Sequence, residues 1–174
     1  MNAAKRREKI VQSLSETQRP ITGGDLAESF AVSRQVVVQD IAILRAQGFE
    51  ILATPQGYIY LSPASNQLLQ RTFACQHDLE RTQEELNIFV DCGGTVVDVI
   101  VEHAIYGQIS GSLMLKSRDD VENFCNKIEQ SGAALLSSLT EGVHLHTIRS
   151  EEESVFDRIE RKLEKTGLRL LNEQ

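Results

Sequence analysis

The chain has 174 residues, 41% apolar and 25% charged, an ordinary composition for a soluble globular protein of one domain or two small ones. Its net charge of −7 would exclude nucleic-acid binding if it were spread evenly, but it is not. Residues 1–66 carry seven Lys/Arg against six acids, whereas residues 67–174 carry 11 against 19, so two domains with different partners are expected. Three widely spaced cysteines (Cys75, Cys92, Cys125) with no C-x-x-C pair suit free thiols in a reducing cytoplasm. No apolar leader follows the basic N-terminus, and the most apolar stretch, Thr95 to Tyr106, is broken by Asp98, Glu102 and His103. A cytoplasmic protein with no membrane partner is the expectation.

In chain order, Ala4 to Thr17 reads as a helix with Ile10, Val11 and Leu14 on one stripe, ended by Pro20. Thr22 caps a short second helix to Phe30. After the turn Ala31-Val32-Ser33, Ser33 caps a third helix that runs to about Gln47 and stops at Gly48. Val37, Ile41 and Leu44 face inward on it. Ser33, Arg34, Gln35, Val38 and Gln39 fall on the other side. Glu50 to Ala53 and Gly57 to Leu61, separated by Thr54-Pro55-Gln56, form a hairpin. Three helices and a hairpin make a winged helix-turn-helix over residues 1–62, in which Arg34, Gln35 and Gln39 offer hydrogen bonds to bases or phosphates and Val38 a contact to a thymine methyl. Lys5, Arg6, Arg7 and Lys9 suit a solvated face or phosphate contact. Asp40 suits an ion pair or a cap. Ser62 to Asn66 reads as a linker.

The second domain, residues 67–174, begins with Gln67 to Cys75, whose periodicity fits strand or helix. A helix opens at Thr82 and stops at Gly93-Gly94; Thr95 to Val101 and Ile109 to Leu115 read as strands. A helix from Asp119 to Gln130 follows, then an ambiguous Ala133 to Thr140. A strand carries Gly142-Val143-His144-Leu145-His146. A charged helix from Glu151 to Lys165 and a short strand, Leu168 to Leu171, close the chain. The loose alternation places the whole chain in the α+β class.

The chemistry lies in the histidines. His144 and His146, at i and i+2 on a strand, share one face and make half of a metal site. His77 precedes a helix and Glu85 lies one turn inside it. Three imidazoles and a carboxylate suit a divalent first-row transition metal, zinc or nickel, if strand and helix pack together. The plainer readings are a capping box, Thr82-x-x-Glu85, that uses up Glu85 at its own helix N-terminus, and a solvent-exposed His77. His103 is as readily a hydrogen-bonded core residue as a ligand. No phosphate-cradling loop or nucleophile elbow is present, and no base partner in sequence adjoins a cysteine, so the chain reads as a non-enzyme.

Thr22-Gly23-Gly24-Asp25-Leu26-Ala27 and Val32-Ser33-Arg34-Gln35-Val36-Val37-Val38-Gln39-Asp40-Ile41 resemble the winged helix of niacin-responsive transcriptional repressors. The second half is similar to their three-histidine (3H) domain, through His77 with Thr82-Gln83-Glu84-Glu85-Leu86, through Val101 to Gly107, and through Leu139 to Thr147. Ala104, where a proline is expected, is a small departure. The resemblance implies a homodimeric repressor of NAD-precursor synthesis and uptake genes, bound to double-stranded operator DNA with nicotinic acid as co-repressor. It also implies a divalent metal on His77, Glu85, His144 and His146, with nicotinate at an open coordination position and His103 and Tyr106 lining the pocket. DNA contacts would fall to Thr22, Ser33, Arg34, Gln35, Val38 and Gln39. A metal-sensing repressor and a metal-dependent hydrolase with a DNA-binding domain are the alternatives.

Overall fold

The computed structural model describes residues 2–17, 19–61 and 68–170. The chain divides into two compact units, Met1–Asn66 and Gln67–Gln174. The linker expected at 62–66 lies outside the described residues.

In the first unit, α1 (Ala3–Ser15), α2 (Gly23–Ser29) and α3 (Arg34–Ala46) precede a hairpin of β1 (Ile51–Thr54) and β2 (Gly57–Tyr60). The caps anticipated from sequence form: Thr22 Oγ1 accepts from Asp25 N and Ser33 Oγ from Val36 N. Ile10, Leu14, Leu26, Val37, Ile41, Leu44 and Ile51 bury a common core. Each fully buried aliphatic contributes ~1.5–3 kcal/mol. Asp40, 2% exposed, meets Arg6 Nε at 2.6 Å and Arg7 Nη1 at 3.3 Å, an ion pair that fastens α1 to α3. Those two arginines are therefore occupied inside the domain. Gly57, at φ +136°, cannot be replaced freely, because a Cβ there would lie 2.5 Å from the Ile21 carbonyl oxygen. That close approach lets Ile21 bridge to Tyr58 and extend the wing.

The second unit is an antiparallel sheet in the order β3-β6-β4-β5, formed by β3 (Leu69–Gln76), β4 (Thr95–His103), β5 (Gly107–Leu115) and β6 (Val143–Ser150). The undecided run before Cys75 is thus a strand; Phe73 and Cys75 alternate inward against the helices. α4 (Thr82–Asp91), α5 (Arg118–Ser131) and α6 (Glu153–Thr166) supply Leu86, Phe89, Val121, Val155, Phe156, Ile159 and Leu163 to one core with Val96, Leu113 and Ile148 of the sheet. The ambiguous segment after α5 contains a 3₁₀ turn, Leu136–Thr140. Instead of a strand, the described part of the closing segment makes one bridge, Arg169 to Cys75; Leu171 lies outside the described residues. The architecture is α+β in both units.

Candidate functional site

β6 and α4 build the site. Register pairs His146 with both Phe73 and Val99, and His144 with Cys75, so both imidazoles point into the helix-covered side of the sheet. They are each 3% exposed. Opposite them, the first turn of α4 offers Glu85, 0% exposed. A short 3₁₀ turn, Leu79–Arg81, leads into α4 and lets the preceding His77 fold back over it. The capping-box reading of Thr82-x-x-Glu85 does not hold. α4 is preceded by Arg81 with no side-chain cap, Thr82 lies inside the helix, and Glu85 turns toward the histidines. Tertiary partners outcompete the local one here. His77 is likewise no solvent-exposed loop side chain, being 2% exposed.

His77 Nε2 lies 2.8 Å from Glu85 Oε2, His144 Nε2 lies 3.1 Å from both carboxylate oxygens, and His146 Nε2 lies 3.4 Å from Oε2. The rings stand edge to face, at 5.0 Å for His77 and His144 and 4.9 Å for His144 and His146. The ligand atoms of His77, Glu85 and His144 all lie within 4.8 Å of one another. Donors 2.0–2.2 Å from a tetrahedral ion would be ~3.3–3.6 Å apart, a few tenths of an ångström beyond most of these contacts.

The other ring nitrogens are each held by a backbone carbonyl. Nδ1 of His77 meets the Asp78 carbonyl at 2.6 Å, that of His144 the Gly142 carbonyl at 2.8 Å, and that of His146 the Asp98 carbonyl at 2.7 Å. A carbonyl only accepts, so each Nδ1 carries a proton, and each Nε2 is left facing Glu85, where it either donates a proton to the carboxylate or offers a lone pair to a cation. Three Nε2 atoms facing a buried carboxylate are held together by protons or by a cation. Fixing Nδ1–H on a carbonyl is also how metal-ligating histidines are oriented. The donor set therefore fits a divalent transition metal.

The electrostatics agree. Burial opposes the charge on Glu85, yet His146's charge and hydrogen bonds from His144, His146 and His77 hold its carboxyl well below the usual carboxylate range. For His77 burial works against protonation, but the hydrogen bond to Glu85 and its charge raise the pKa. His146 is raised the same way, chiefly by the charge of Glu85.

Two backbone features that the sequence reading missed hold the cluster. A bulge in β4 between Val96 and Asp98 presents the Asp98 carbonyl to His146 while Asp98 Oδ1 accepts from Thr147 N at 3.0 Å. Gly142, at φ +86°, presses on the His77 backbone, where a Cβ would sit 2.2 Å from the His77 oxygen. The glycine in Gly142-Val143-His144 was the signal for it.

A cavity of about 30 Å³ adjoins the cluster, lined by Leu86, Val99, Phe124, Leu136 and Ser137 among others. That is space enough to admit water. Thr82, Phe124 and Leu135 also wall an outer groove of about 520 Å³ between the start of α4 and α5. The Thr82 hydroxyl is buried there without a hydrogen-bond partner.

The remaining sequence-chosen residues lie elsewhere. His103 and Tyr106 stack at 5.1 Å on the β4–β5 turn, Tyr106 is 77% exposed, and neither lines the histidine cavity. His103 Nδ1 accepts from Ile105 N and Tyr106 N, which closes the turn despite Ala104 standing where proline was expected. In the first unit Thr22, Ser33, Arg34, Gln35, Val38 and Gln39 are all exposed, the last four on one side of α3.

Comparison with known proteins places these features in a class. Residues 70–172 match the 3H domain and residues 6–59 an HTH domain. The chain is 45% identical over 167 residues to the transcription repressor NadR of Bacillus subtilis, covering 95% of this chain and 93% of that protein. It is 44% identical over 158 residues to the probable transcription repressor NiaR of Thermotoga maritima, covering 91% and 89%. The chain belongs to the niacin-responsive transcriptional repressor family. Among the described residues no helix is long and apolar enough to cross a membrane.

Proposed function

We propose that this protein is a homodimeric transcriptional repressor of NAD-precursor synthesis and uptake genes, with nicotinic acid as co-repressor. The observation that carries the reading is the convergence of three Nε2 atoms on buried Glu85, each ring fixed by a backbone carbonyl. His77, Glu85, His144 and His146 would hold a divalent metal, zinc or nickel. Three neutral imidazoles and one carboxylate leave such an ion with a net charge of +1, which suits one further anionic ligand. When bound, the metal supplies a Lewis-acidic position for a carboxylate or a pyridine nitrogen.

The residues of the chain do the rest. Exposed Arg34, Gln35, Val38 and Gln39 on α3 suit contact with base edges, and Thr22 and Ser33, at the starts of α2 and α3, suit the phosphate backbone. Ligand binding favours the dimer geometry that spaces two copies of α3 one DNA turn (~34 Å) apart. The test is a gel shift on the organism's NAD-precursor promoters. Retardation that requires nicotinate and is lost with chelator supports the reading; retardation indifferent to both contradicts it.

A second reading, a repressor that senses the metal itself, is favoured by the cavity beside the cluster, whose space of about 30 Å³ suits water beside the ligands. DNA binding that follows added metal and ignores nicotinate would select it.

A further inference from the structure

The two edges of the four-stranded sheet are finished differently. Along β3 the closing segment adds a further line of hydrogen bonds: Gln76 N donates to the Leu168 carbonyl and Leu170 N to the Ala74 carbonyl, each at 3.0 Å. β5, at the other edge, is paired with β4 alone among the described residues. An edge strand presents unpaired N–H and C=O groups, and chains that stay apart blunt it with charges, proline or a bulge. From Gly107 to Ser112 the register of β5 against β4 is unbroken. The irregularity comes only beyond that run, where Met114 takes φ +52°. All nine residues of β5, Gly107–Leu115, are uncharged, and none is proline.

These features suit one kind of partner, a second copy of the chain. Two identical antiparallel strands pair about a two-fold axis normal to the sheet, and residues near that axis face their own copies. A charge there would meet itself, and like charges directly opposite are destabilising. β5 has none, and exposed Ser110 stands in the middle of its regular run. Charges do flank the strand, with opposite signs: exposed Glu102, across from Gln108 on β4, and exposed Lys116, just past Leu115. Antiparallel pairing turns the Glu102 end of one copy toward the partner's Lys116. The β4–β5 turn also carries Ile105 and Tyr106, 84% and 77% exposed, an apolar pair that such pairing brings against the far end of the second β5.

We infer that β5 is a self-association edge, through which two copies pair antiparallel along Gly107–Ser112 and join their sheets into one of eight strands. The inference rests on the homodimeric reading above and locates its interface. Because the axis is normal to the sheet, the helices of both copies lie on the same side. Strand addition of this kind draws its affinity from main-chain hydrogen bonds, which the small side chains of Ser110, Gly111 and Ser112 leave accessible.

The experiment measures the oligomeric state of the full-length protein by sedimentation velocity over a concentration series. Wild type is expected to be a dimer. Ser110→Glu and Ser110→Lys each set a charge against its own copy and should each weaken the dimer at least ~10-fold, whereas an equimolar mixture of the two should recover it as a heterodimer. Variants as dimeric as wild type, or a mixture that stays monomeric, would overturn the inference and leave the homodimeric reading standing with its interface elsewhere. Amide hydrogen exchange of wild type gives a readout that needs no variant. The outward amides of Gly107–Ser112 should be protected at concentrations where the protein is dimeric and exchange freely where it is monomeric. Free exchange within a dimer refutes the interface even if a Ser110 variant does not fold. A wild type that is monomeric throughout, with β5 exchanging freely, sinks the homodimeric reading together with the inference and leaves the edge to a peptide of another chain.

Discussion

His144 Nε2 lies 3.1 Å from each of the two carboxylate oxygens of Glu85, a residue 59 positions earlier in the chain. The contact joins the sheet to the first turn of α4 at a point both sides bury almost completely. A buried carboxylate costs several kcal/mol unless it is compensated. The compensation here comes from imidazoles whose remaining nitrogens are already fixed, so the arrangement is built around a positive charge.

Replacing that carboxylate exposes the dependence. Glu85→Gln keeps the shape and removes the charge. Metal affinity, measured by chelator competition, should fall by more than the ~10–100-fold typical of losing an outer hydrogen-bond partner. A loss under tenfold would mean that Glu85 is not a ligand.

pH should act in opposite directions on the metal-free and metal-loaded forms. His77 and His146 are raised above their unfolded values, so in metal-free protein their contribution is fully present below pH ~6.5 and is lost as pH rises through the folded values. Glu85 is depressed, so its contribution is present above pH ~4.3 and is lost as pH falls through its folded value. Metal must displace protons from the histidines, and it binds more tightly as pH rises. The increase in Tm on adding zinc or nickel should therefore be larger at pH 8 than at pH 6. A constant or falling increment would contradict the assignment.

Gly142→Ala is expected to damage the site without touching a ligand. The new Cβ would meet the His77 carbonyl oxygen at 2.2 Å in a backbone at φ +86°. Strain of this kind costs of order 1–3 kcal/mol, and the clash adds to it. Urea unfolding should report a loss of at least ~2 kcal/mol, accompanied by weaker metal binding because the Gly142 carbonyl orients His144. An unchanged midpoint would show that the two turns do not press together.

In the first unit, Arg34→Ala and Gln35→Ala should weaken operator binding, each by about 1–3 kcal/mol where it reads a base, while the Tm stays unchanged. Asp40→Ala should do the reverse in origin. It strands Arg6 and Arg7, lowers stability by roughly 3 kcal/mol, and weakens DNA binding only as folding is lost. Parallel anisotropy and thermal melts separate the two cases.

Much of this architecture was legible in the sequence because its signals are local. The caps at Thr22 and Ser33 and the inward spacing of Val37, Ile41 and Leu44 are set within a few residues, as is the period-two pair His144 and His146. What was not legible depends on register and long-range packing. Thr82-x-x-Glu85 satisfies a capping pattern, and only the arrival of β6 reveals that Glu85 faces the other way. Cys75 and His77 stand at i and i+2, but that relation carries meaning only once the preceding run is known to be a strand paired with β6. The Asp98 carbonyl comes from a bulge, which leaves little trace in β-branched sequence. His103 and Tyr106 were drawn toward the site by their motif, and the hairpin carries them to an exposed turn instead.

The central claim is that a metal held by this cluster receives the small-molecule signal. Calorimetric titration of nicotinate into metal-loaded wild type, into chelator-treated wild type and into His144→Ala tests it most directly. Saturable binding to the first and none to the other two is the expected result. Nicotinate affinity unchanged in His144→Ala would contradict it.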